Sequence, residues 1–499
     1  MFGPFLKLIA LVTLFSVFTA EALPINWKGT FGADTTLINN YRRIKEATQQ
    51  TDYTSNFGTQ EIPTDDGNGS SASFQSYVLR LNPEIIVNDS ASFFGELTTG
   101  YGRGGLFGDS SVRRGTQNGQ NSYGNALYYH NTTDSSDDLQ LGQFYLDLYA
   151  DTATYRIGRF SSHWGLGAVV HSGEGAWDRH AFVRDGIELQ FKIGNFEIKP
   201  FYAKISSTDG LTRPTRVKEV GVSLLYENDV KEVSFGIYYA HKKDGSDATS
   251  ATVTDVDGTG TDYSIGQTSV KLTDLFVKKR WGDFALALEV PLYSGQIGDV
   301  YNIYSEANSS KYKAKAFILE SEYRLSPSLL FQLNAGKVSG DSGNTNVFEA
   351  MYLNPNYQIA HLLFRYNLYA ISDPNAENLY DSYVHNASYI KALARYTSGN
   401  WDWDVAVIKA VAEEVAKKNS TAFNHSTNRL IDSAVANQDD DLGLEIDLGV
   451  NYRWNKEINV HGGFGYLFTG EYYSFSNEAN RANSADNTML FQLGTSIQF

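Results

Sequence analysis

The sequence predicts an all-β protein, a transmembrane antiparallel β-barrel of about 18 strands. Three observations lead to this prediction: polar and apolar residues alternate along most of the chain, tight turns alternate with long polar stretches, and the chain closes on an aromatic residue, Phe499. The last segment shows the alternation. Every second residue from Met489 onward lies on one mostly apolar face, whereas the residues between are mostly small or polar.

The N-terminal segment 1–22 predicts a secretory signal peptide. It carries one basic residue, Lys7, followed by the apolar run 8–18 and by small residues that end at Ala22. Cleavage is expected after Ala22, with cleavage two residues earlier as the alternative. An uncleaved anchor is disfavoured because the apolar run is short for a spanning helix. The remaining chain, 23–499, is expected to form one barrel domain.

The composition excludes several classes of protein. The chain of 499 residues has a mean hydropathy of -0.33, and no apolar run beyond the first segment is long enough for a spanning helix. The chain has no Cys, which excludes disulfide and thiolate chemistry. A net charge of -16 argues against nucleic-acid binding. No cofactor is predicted, because the sequence holds no phosphate-binding motif between a strand and a helix.

Tight turns and long loops alternate along the chain. The predicted turns are Asn88-Asp89, Asp151-Thr152, Gly194-Asn195, Asn228-Asp229, Gly282-Asp283, Ser326-Pro327, Gly399-Asn400 and Asn455-Lys456. The long polar stretches lie near 40–72, 102–138, 161–185, 206–216, 243–266, 296–312, 340–385, 414–439 and 471–485. This asymmetry predicts short periplasmic turns and long extracellular loops.

The segment 356–371 is the ambiguous element in the strand count. Its apolar residues alternate as in a strand, but Asn354-Pro355 precedes it and Asp373-Pro374 follows it, as in a loop. Including it gives an odd total of about 19 strands, which would place the two chain ends on opposite sides of the membrane. We therefore expect 340–385 to be an external loop with partly buried structure, either folded into the barrel or packed over it as a cap.

Alternation also predicts which side chains face the lumen. In the segment GIELQFKIG, Glu188 and Lys192 are expected to face inward, because a charge that faces lipid costs about 2–4 kcal/mol at the midplane. The predicted pore-lining residues are Arg156, Arg159, Trp164, Arg184, Glu188, Lys192, Lys199, Glu289, Glu320, Glu322, Lys391, Arg395, Glu445 and Asp447. Two interpretations stay open: the charges pair and stiffen the wall, or they separate and select solutes by charge.

No metal site and no enzyme are predicted. The histidines of the 161–185 loop are His163, His171 and His180, and their spacing matches no zinc pattern. A weak calcium-loop candidate consists of Asp255, Asp257 and Asp262, but Gly266 replaces the bidentate Glu at its last position. A serine hydrolase is disfavoured because the adjacent His171 and Ser172 would point apart on a strand.

The stretch RIGRFSSHWGLG and the segment HSGEGAWDRHAFVRDGIEL that follows it are similar to a group of uncharacterised outer-membrane barrel proteins of delta-group Gram-negative bacteria. In that group a strand ending in Gly-Arg runs into a Trp-Gly-Leu-Gly loop, a Gly-rich segment and an Asp before the next strand. The matching residues are Gly158, Arg159, Trp164, Gly165, Leu166, Gly167, Gly173, Gly175 and Asp185. The resemblance covers this hairpin and implies a large outer-membrane barrel, without implying a substrate.

These observations predict a porin-like outer-membrane channel for passive diffusion of small polar solutes. Arg156, Arg159, Trp164 and Arg184 are expected to line its external vestibule. The expected partners are outer-membrane lipid and lipopolysaccharide, the barrel assembly machinery and the solutes, with assembly as a homotrimer left open.

Two alternatives to a general porin stay open. One is a channel specific for a substrate such as an oligosaccharide, which would slide along lumen-facing aromatic residues. The candidates for such a track are Phe94, Tyr145, Phe201 and Tyr238. The other is a plugged, non-conducting barrel that binds an external partner with its loops.

Overall fold

The computed structural model describes residues 24–45, 71–99, 103–106, 139–206, 217–243, 251–254, 260–263, 268–297, 311–345, 347–368, 379–425, 429–477 and 483–499. The predicted signal peptide lies outside these residues. Within them, 18 long strands form the wall of a closed barrel. They are β1 (Ile25–Asn39), β2 (Ala72–Asn88), β3 (Ala91–Thr99), β4 (Leu139–Tyr149), β5 (Ala153–Ser161), β6 (Val183–Ile193), β7 (Phe196–Ser206), β8 (Val217–Asn228), β9 (Val233–Lys243), β10 (Thr268–Trp281), β11 (Phe284–Ile297), β12 (Ala316–Ser326), β13 (Leu329–Val338), β14 (Ala387–Ser398), β15 (Trp401–Ala412), β16 (Asp441–Arg453), β17 (Ile458–Thr469) and β18 (Thr488–Gln498).

Each wall strand pairs with its neighbours in the chain, and the first strand closes the barrel against the last. β1 and β18 are antiparallel, with Thr30 opposite Gln498 and Asn39 opposite Met489. Closure leaves no unpaired sheet edge, which is the condition for a sheet in lipid. The predicted antiparallel barrel of 18 strands is confirmed.

Short connections lie at one end of the barrel and long ones at the other, which we call the short-turn end and the long-loop end. At the short-turn end, Gly194, Gly282 and Gly399 have φ angles of 58°, 58° and 59°. Two-residue hairpins need this left-handed backbone, which glycine adopts without a steric penalty. The sequence therefore fixes the length of these turns and, through them, the register of the strands.

Several short elements accompany the wall strands, and three of them, 104–106, 311–312 and 347–348, extend the barrel sheet. The short strands are Gly104–Leu106, Ala251–Thr254, Gly260–Tyr263, Lys311–Tyr312, Val347–Phe348, Ala422–Asn424 and Arg429–Ile431, and Glu471–Ser474 forms one 3₁₀ turn. In the described part of the chain, no helix has the length and hydropathy needed to cross a membrane.

The outward face of the wall is apolar and exposed. On β8 the outward side chains of Val220, Val222 and Leu224 are 51 %, 36 % and 36 % exposed. Aromatic residues collect near the short-turn end, where the ring of Trp401 lies 5.6 Å from that of Trp403 and 4.4 Å from that of Tyr452. An apolar band bordered by aromatic residues matches the hydrocarbon layer and its interface.

The described part of the ambiguous segment, 356–368, forms no strand. β13 pairs directly with β14, with Leu329 opposite Tyr396 and Val338 opposite Ala387, so the chain between these strands leaves the wall. Its exclusion from the strand count is therefore confirmed. Of the two arrangements left open for this loop, the structure shows the one in which it folds into the barrel.

Candidate functional site

Two long loops occupy the lumen. We call 162–182 the first inward loop and 339–386 the second inward loop, the latter described at 339–345, 347–368 and 379–386. In both, backbone N–H groups donate hydrogen bonds to carboxylates that project inward from the wall. Charge-assisted bonds of this kind are stronger than neutral ones, so the wall determines where the loops lie.

The first inward loop packs an indole ring against the wall. Trp164 is 4 % exposed, and its ring lies 5.8 Å from that of Tyr238 and 6.3 Å from that of Phe276. Gly236, which has no side chain, leaves the space that the indole fills. Trp164 was expected to line the vestibule. This expectation is corrected, because the loop turns back on itself and buries the ring. A hydrogen bond of 2.9 Å from the Trp164 N–H to the Val170 carbonyl closes this turn.

Glu289 on β11 anchors this loop. Its carboxylate accepts a hydrogen bond from the Leu166 N–H, and the residue is fully buried. The predicted inward direction of the side chain agrees with the structure. A solute in the lumen nevertheless meets the loop rather than the carboxylate, so the pore-lining assignment of Glu289 is corrected.

Arginines hold the opposite side of the first inward loop. Arg80 on β2 donates to the carbonyls of Gly173 and Gly175, the latter over 2.6 Å, and Arg103 donates to the same Gly173 carbonyl. Arg179 of the loop donates back to a β2 carbonyl over 2.9 Å. The loop is therefore tied to the wall on both sides, through carboxylate acceptors and guanidinium donors.

The second inward loop meets two carboxylates of β16. Glu445 accepts the N–H groups of Leu362 and Leu363 over 2.6 and 2.8 Å, and Asp447 accepts the His361 N–H over 3.1 Å. Glu445 is fully buried, and Asp447 is 6 % exposed. Both face inward as predicted, but the loop covers them, so they are loop anchors rather than surfaces of an open pore.

The same loop also contacts the wall at β12 and β14. The Tyr357 hydroxyl donates to Glu320 on β12 over 2.9 Å and lies 3.1 Å from the Tyr389 hydroxyl on β14. Lys391 lies on the inward face of β14, where Glu320 and Asp447 act on its charge. Glu320 and Lys391, which were predicted to face inward, therefore lie beside this loop.

The two inward loops contact each other. The Asn354 N–H donates to the Ala168 carbonyl over 2.7 Å, and the Asn356 side chain donates to the His180 carbonyl over 2.6 Å. Apolar residues on both loops are completely buried, including Val169, Val170, Met351, Leu353, Leu362 and Leu363. The loops thus form one packed core inside the barrel.

Two loop histidines lie in this core, where His180 is buried and His361 is half-buried. Burial lowers the pKa of His180 to about 3 and that of His361 to about 3 as well. The His180 ring also lies 3.1 Å from the Tyr380 carbonyl. Both histidines are therefore neutral at pH 7, and the packing of the loops depends on their staying neutral.

The short-turn half of the lumen has a different character. Arginines there pair with carboxylates, in Arg156–Asp147, Arg395–Asp404, Arg453–Asp402 and Arg280–Glu322. The arginine side chains of these pairs remain 23–41 % exposed. This half of the lumen is therefore open to water. Of the two interpretations left open, these described pairs agree with the one in which opposite charges pair along the wall, either across adjacent strands or, for Arg280 and Glu322, across one intervening strand.

Three predicted residues lie along β6 and β7 in this half. Glu188 is buried opposite Arg156 in the pairing of β5 and β6 and accepts a hydrogen bond from Gln190 over 2.9 Å. Lys199 pairs with Glu197. Lys192 is exposed near the short turn. All three face inward, at the positions that alternation predicts.

Arg156 and Arg159 lie on opposite faces of β5. Arg156 points inward, with both Asp147 oxygens within 2.9 Å and its guanidinium 4.6 Å from the Tyr145 ring centroid. Between them, Gly158 has a φ of 133° and approaches the neighbouring strand so closely that a side chain would collide with it. Alternation continues past this glycine. Arg159 therefore points outward and pairs with Asp185 over 2.6 Å, which corrects its pore-lining assignment.

Arg184 does not line the vestibule either. It is 1 % exposed and donates to Glu219 over 2.6 Å. Its guanidinium lies 4.4 Å from the Phe182 ring and 4.3 Å from the Phe201 ring. The prediction that Arg184 lines the vestibule is corrected, because these aromatic rings and the ion pair enclose it.

The aromatic candidates for a track divide into two pairs. Phe94 and Tyr145 stack with centroids 5.0 Å apart on the inward face of β3 and β4, and both are only half-buried. Phe201 and Tyr238 stack at 5.8 Å, but they are 5 % and 3 % exposed. Only the first pair is accessible from the lumen.

The weak calcium candidate receives no further support. Asp255 and Asp257 lie outside the described residues, and Asp262 belongs to the short strand Gly260–Tyr263, which pairs with Ala251–Thr254. Searching the described part of the chain finds no group of three acidic, His or Cys side chains placed to hold a metal ion.

Comparisons with known proteins return outer-membrane barrels. The chain is similar to OccAB4 of Acinetobacter baumannii, with a TM-score of 0.46 and 10 % identity over 96 % of this chain and 100 % of that one. It is similar to OpdK of Pseudomonas aeruginosa, solved with vanillate, with a TM-score of 0.46 and 9 % identity over 95 % and 98 %. It is also similar to OmpT of Vibrio cholerae, with a TM-score of 0.37 and 9 % identity over 97 % and 99 %.

Comparisons at the sequence level return nothing. No protein-family model matches the chain. No curated protein matches it either.

Sequence reasoning missed the loop arginines that hold the inward loops. Arg43 donates to the Leu362 carbonyl over 3.0 Å. Arg103 donates to the first inward loop, and Arg179, which belongs to that loop, donates to β2. All three lie in loop segments, where alternation predicts no facing direction. The one signal of these arginines in the sequence is a positive charge within a loop that otherwise consists mostly of uncharged polar residues.

Proposed function

We propose that this protein is an outer-membrane channel for passive diffusion of small polar solutes through a lumen narrowed by its own loops. One observation carries the proposal: inward loops anchored at Glu289 and Glu445 occupy the long-loop half, whereas charge pairs in the short-turn half stay open to water. In this proposal the long-loop end faces the outside of the cell, because barrels of this class have short periplasmic turns.

The partners belong to the same proposal. The apolar outward band suits outer-membrane lipid, and the barrel assembly machinery remains a predicted partner. A cleaved N-terminal signal peptide, assembly as a homotrimer and an origin in delta-group bacteria remain predictions of the sequence.

A specific channel is the second candidate. It is favoured by the stacked Phe94 and Tyr145 rings together with the guanidinium of Arg156. A half-buried aromatic face beside a cation suits a solute with a flat apolar side and hydroxyl or carboxylate groups. A plugged barrel is the third candidate, favoured by the fully buried Val169 and Leu353 and by the hydrogen bond between the loops from the Asn354 N–H to the Ala168 carbonyl.

Planar-bilayer recording separates the three candidates. The mature protein is folded into detergent, added to one side of the bilayer and recorded in KCl, with heat-unfolded protein as the control. The proposal expects steady ion-permeable steps that neutral sugars do not block. Block by one solute class alone would favour the specific channel, and silence of a demonstrably folded barrel would favour the plugged one.

A further inference from the structure

A row of lysines crosses the outward face at the long-loop end. Lys204 on β7 is directly opposite Lys218 on β8, and Lys218 is directly opposite Lys243 on β9. Lys271 on β10 lies diagonally below Lys243, opposite His241. All four lysines are exposed. We call Lys204, Lys218, Lys243 and Lys271 the basic row.

The basic row lies at the upper border of the apolar band. The outward residues just below it, Tyr202 and Val220, are 48 % and 51 % exposed. Lys218 is eight positions from Tyr226, whose ring is near the short turn. Eight residues span about 27 Å of strand, or about 21 Å along the barrel axis at a tilt of about 40°. An apolar band is about 25 Å tall, so the lysines lie where hydrocarbon meets headgroups.

Among the described residues the basic row has no ion-pair partner: Asp185 lies directly opposite Lys204 on β6, but its carboxylate pairs with Arg159. Within the described residues, no carboxylate lies in ion-pairing distance of these four lysines, although like charges directly opposite on neighbouring strands destabilise a sheet. Other outward cations at the same end do have partners. Lys337 pairs with Glu413, Lys409 with Asp441, and Arg159 with Asp185.

We propose that the basic row binds the phosphate groups of lipids in the leaflet at the long-loop end. Lysine ammonium groups are mobile point charges that bind phosphate without a fixed geometry, and their stems can lie along the tops of acyl chains. Three facing cations that are level with the headgroups and have no ion pair within the described part of the chain complement a doubly phosphorylated lipid. This inference rests on the membrane embedding of the barrel and is independent of the solute that crosses it.

Lipid titration of the folded, full-length mature protein tests the proposal. The probe is diphosphoryl lipid A in uncharged detergent, with the fully dephosphorylated lipid as reference and binding followed by native mass spectrometry. The test variant is Lys204→Gln/Lys218→Gln/Lys243→Gln. The matched control, Lys337→Gln/Lys409→Gln, removes outward lysines of the same end that have partners. Heat-modified gel migration reports that each barrel is folded.

The expected result is weaker lipid A binding by the triple variant alone. Each lysine near an anionic surface contributes about fivefold in affinity, so the triple variant should bind about 100-fold more weakly. Equal binding by the triple variant, or an equal loss in the control, overturns the proposal. Displacement of the lipid by excess inorganic phosphate would reassign the row to free anions. A changed oligomeric state without a change in lipid binding would reassign it to a second copy of the chain.

Failure of this inference is distinguishable from failure of the channel. Lipid binding is measured on the folded barrel without any current, and conductance is recorded separately on the same variant. If the barrel binds lipid A but gives no current, only the channel proposal is contradicted. If it conducts but shows no phosphate-dependent lipid binding, only the proposal for the basic row is contradicted.

Discussion

The backbone N–H of Leu362 donates to the carboxylate of Glu445 over 2.6 Å, although the two residues lie 83 positions apart in the chain. Glu445 belongs to the wall and Leu362 to the second inward loop. The same carboxylate also accepts the next N–H, at Leu363. A buried charge on β16 thus gains two hydrogen bonds, and the loop gains a fixed place in the lumen.

Glu445→Ala should loosen the second inward loop without opening the barrel wall. It leaves two buried N–H donors unsatisfied, at a cost of about 1–3 kcal/mol each. We expect larger and noisier single-channel currents in planar bilayers and a lower midpoint of urea unfolding. The matched control is Glu322→Ala, which removes an inward carboxylate bound to Arg280 rather than to a loop. Equal effects of both substitutions would contradict the anchoring role.

Arg156→Ala should raise the preference of the channel for cations. The substitution leaves Asp147 unpaired in the water-accessible half of the lumen, where its charge acts on passing ions. Reversal potentials across a KCl gradient measure this preference. Arg159→Ala is the control, because Arg159 lies three positions away on the outward face. An unchanged reversal potential in the Arg156 variant would count against its place in the lumen.

Trp164→Ala should leave a cavity between the first inward loop and the wall. Truncation of a buried Trp lowers the free energy of unfolding by about 3–5 kcal/mol. Water can fill the cavity because it adjoins the lumen. We expect a larger conductance and a lower unfolding midpoint. Trp281→Ala is the control, since Trp281 is outward and 54 % exposed. A wild-type conductance in the Trp164 variant would show that the ring does not narrow the lumen.

Acidification should release the inward loops. Burial holds the pKa of His180 and of His361 near 3, below the ordinary value of 6.5, so the folded loops contain neutral rings. Stability from these rings is complete above pH 6.5 and is lost as the pH falls toward 3. Conductance and current noise should therefore rise below pH 6.5. His180→Gln/His361→Gln should reduce that rise, and a conductance that falls on acidification would contradict the assignment.

Sequence patterns predicted the wall well and the lumen poorly, for a physical reason. A strand alternates with period 2, so the inward direction of Arg156, Glu289 and Glu445 follows from local sequence. The outward direction of Arg159 follows from the same rule, although Arg159 was expected to line the external vestibule. The partners of these residues could not be predicted, because Leu362 and Leu166 contribute only backbone N–H groups, which every non-proline residue has.

The central claim is that loops anchored to the wall narrow a conducting lumen, and excision of one loop tests it most directly. The Leu353 N–H donates to the Val384 carbonyl over 3.0 Å, so a short Gly-Ser turn can replace 354–383 without moving its ends. The measurement is single-channel conductance of the wild type and the excised barrel, each shown to be folded by gel migration. We predict small steady steps for the wild type and steps several times larger for the excised barrel. Equal conductance of the two, or silence of both, would contradict the account.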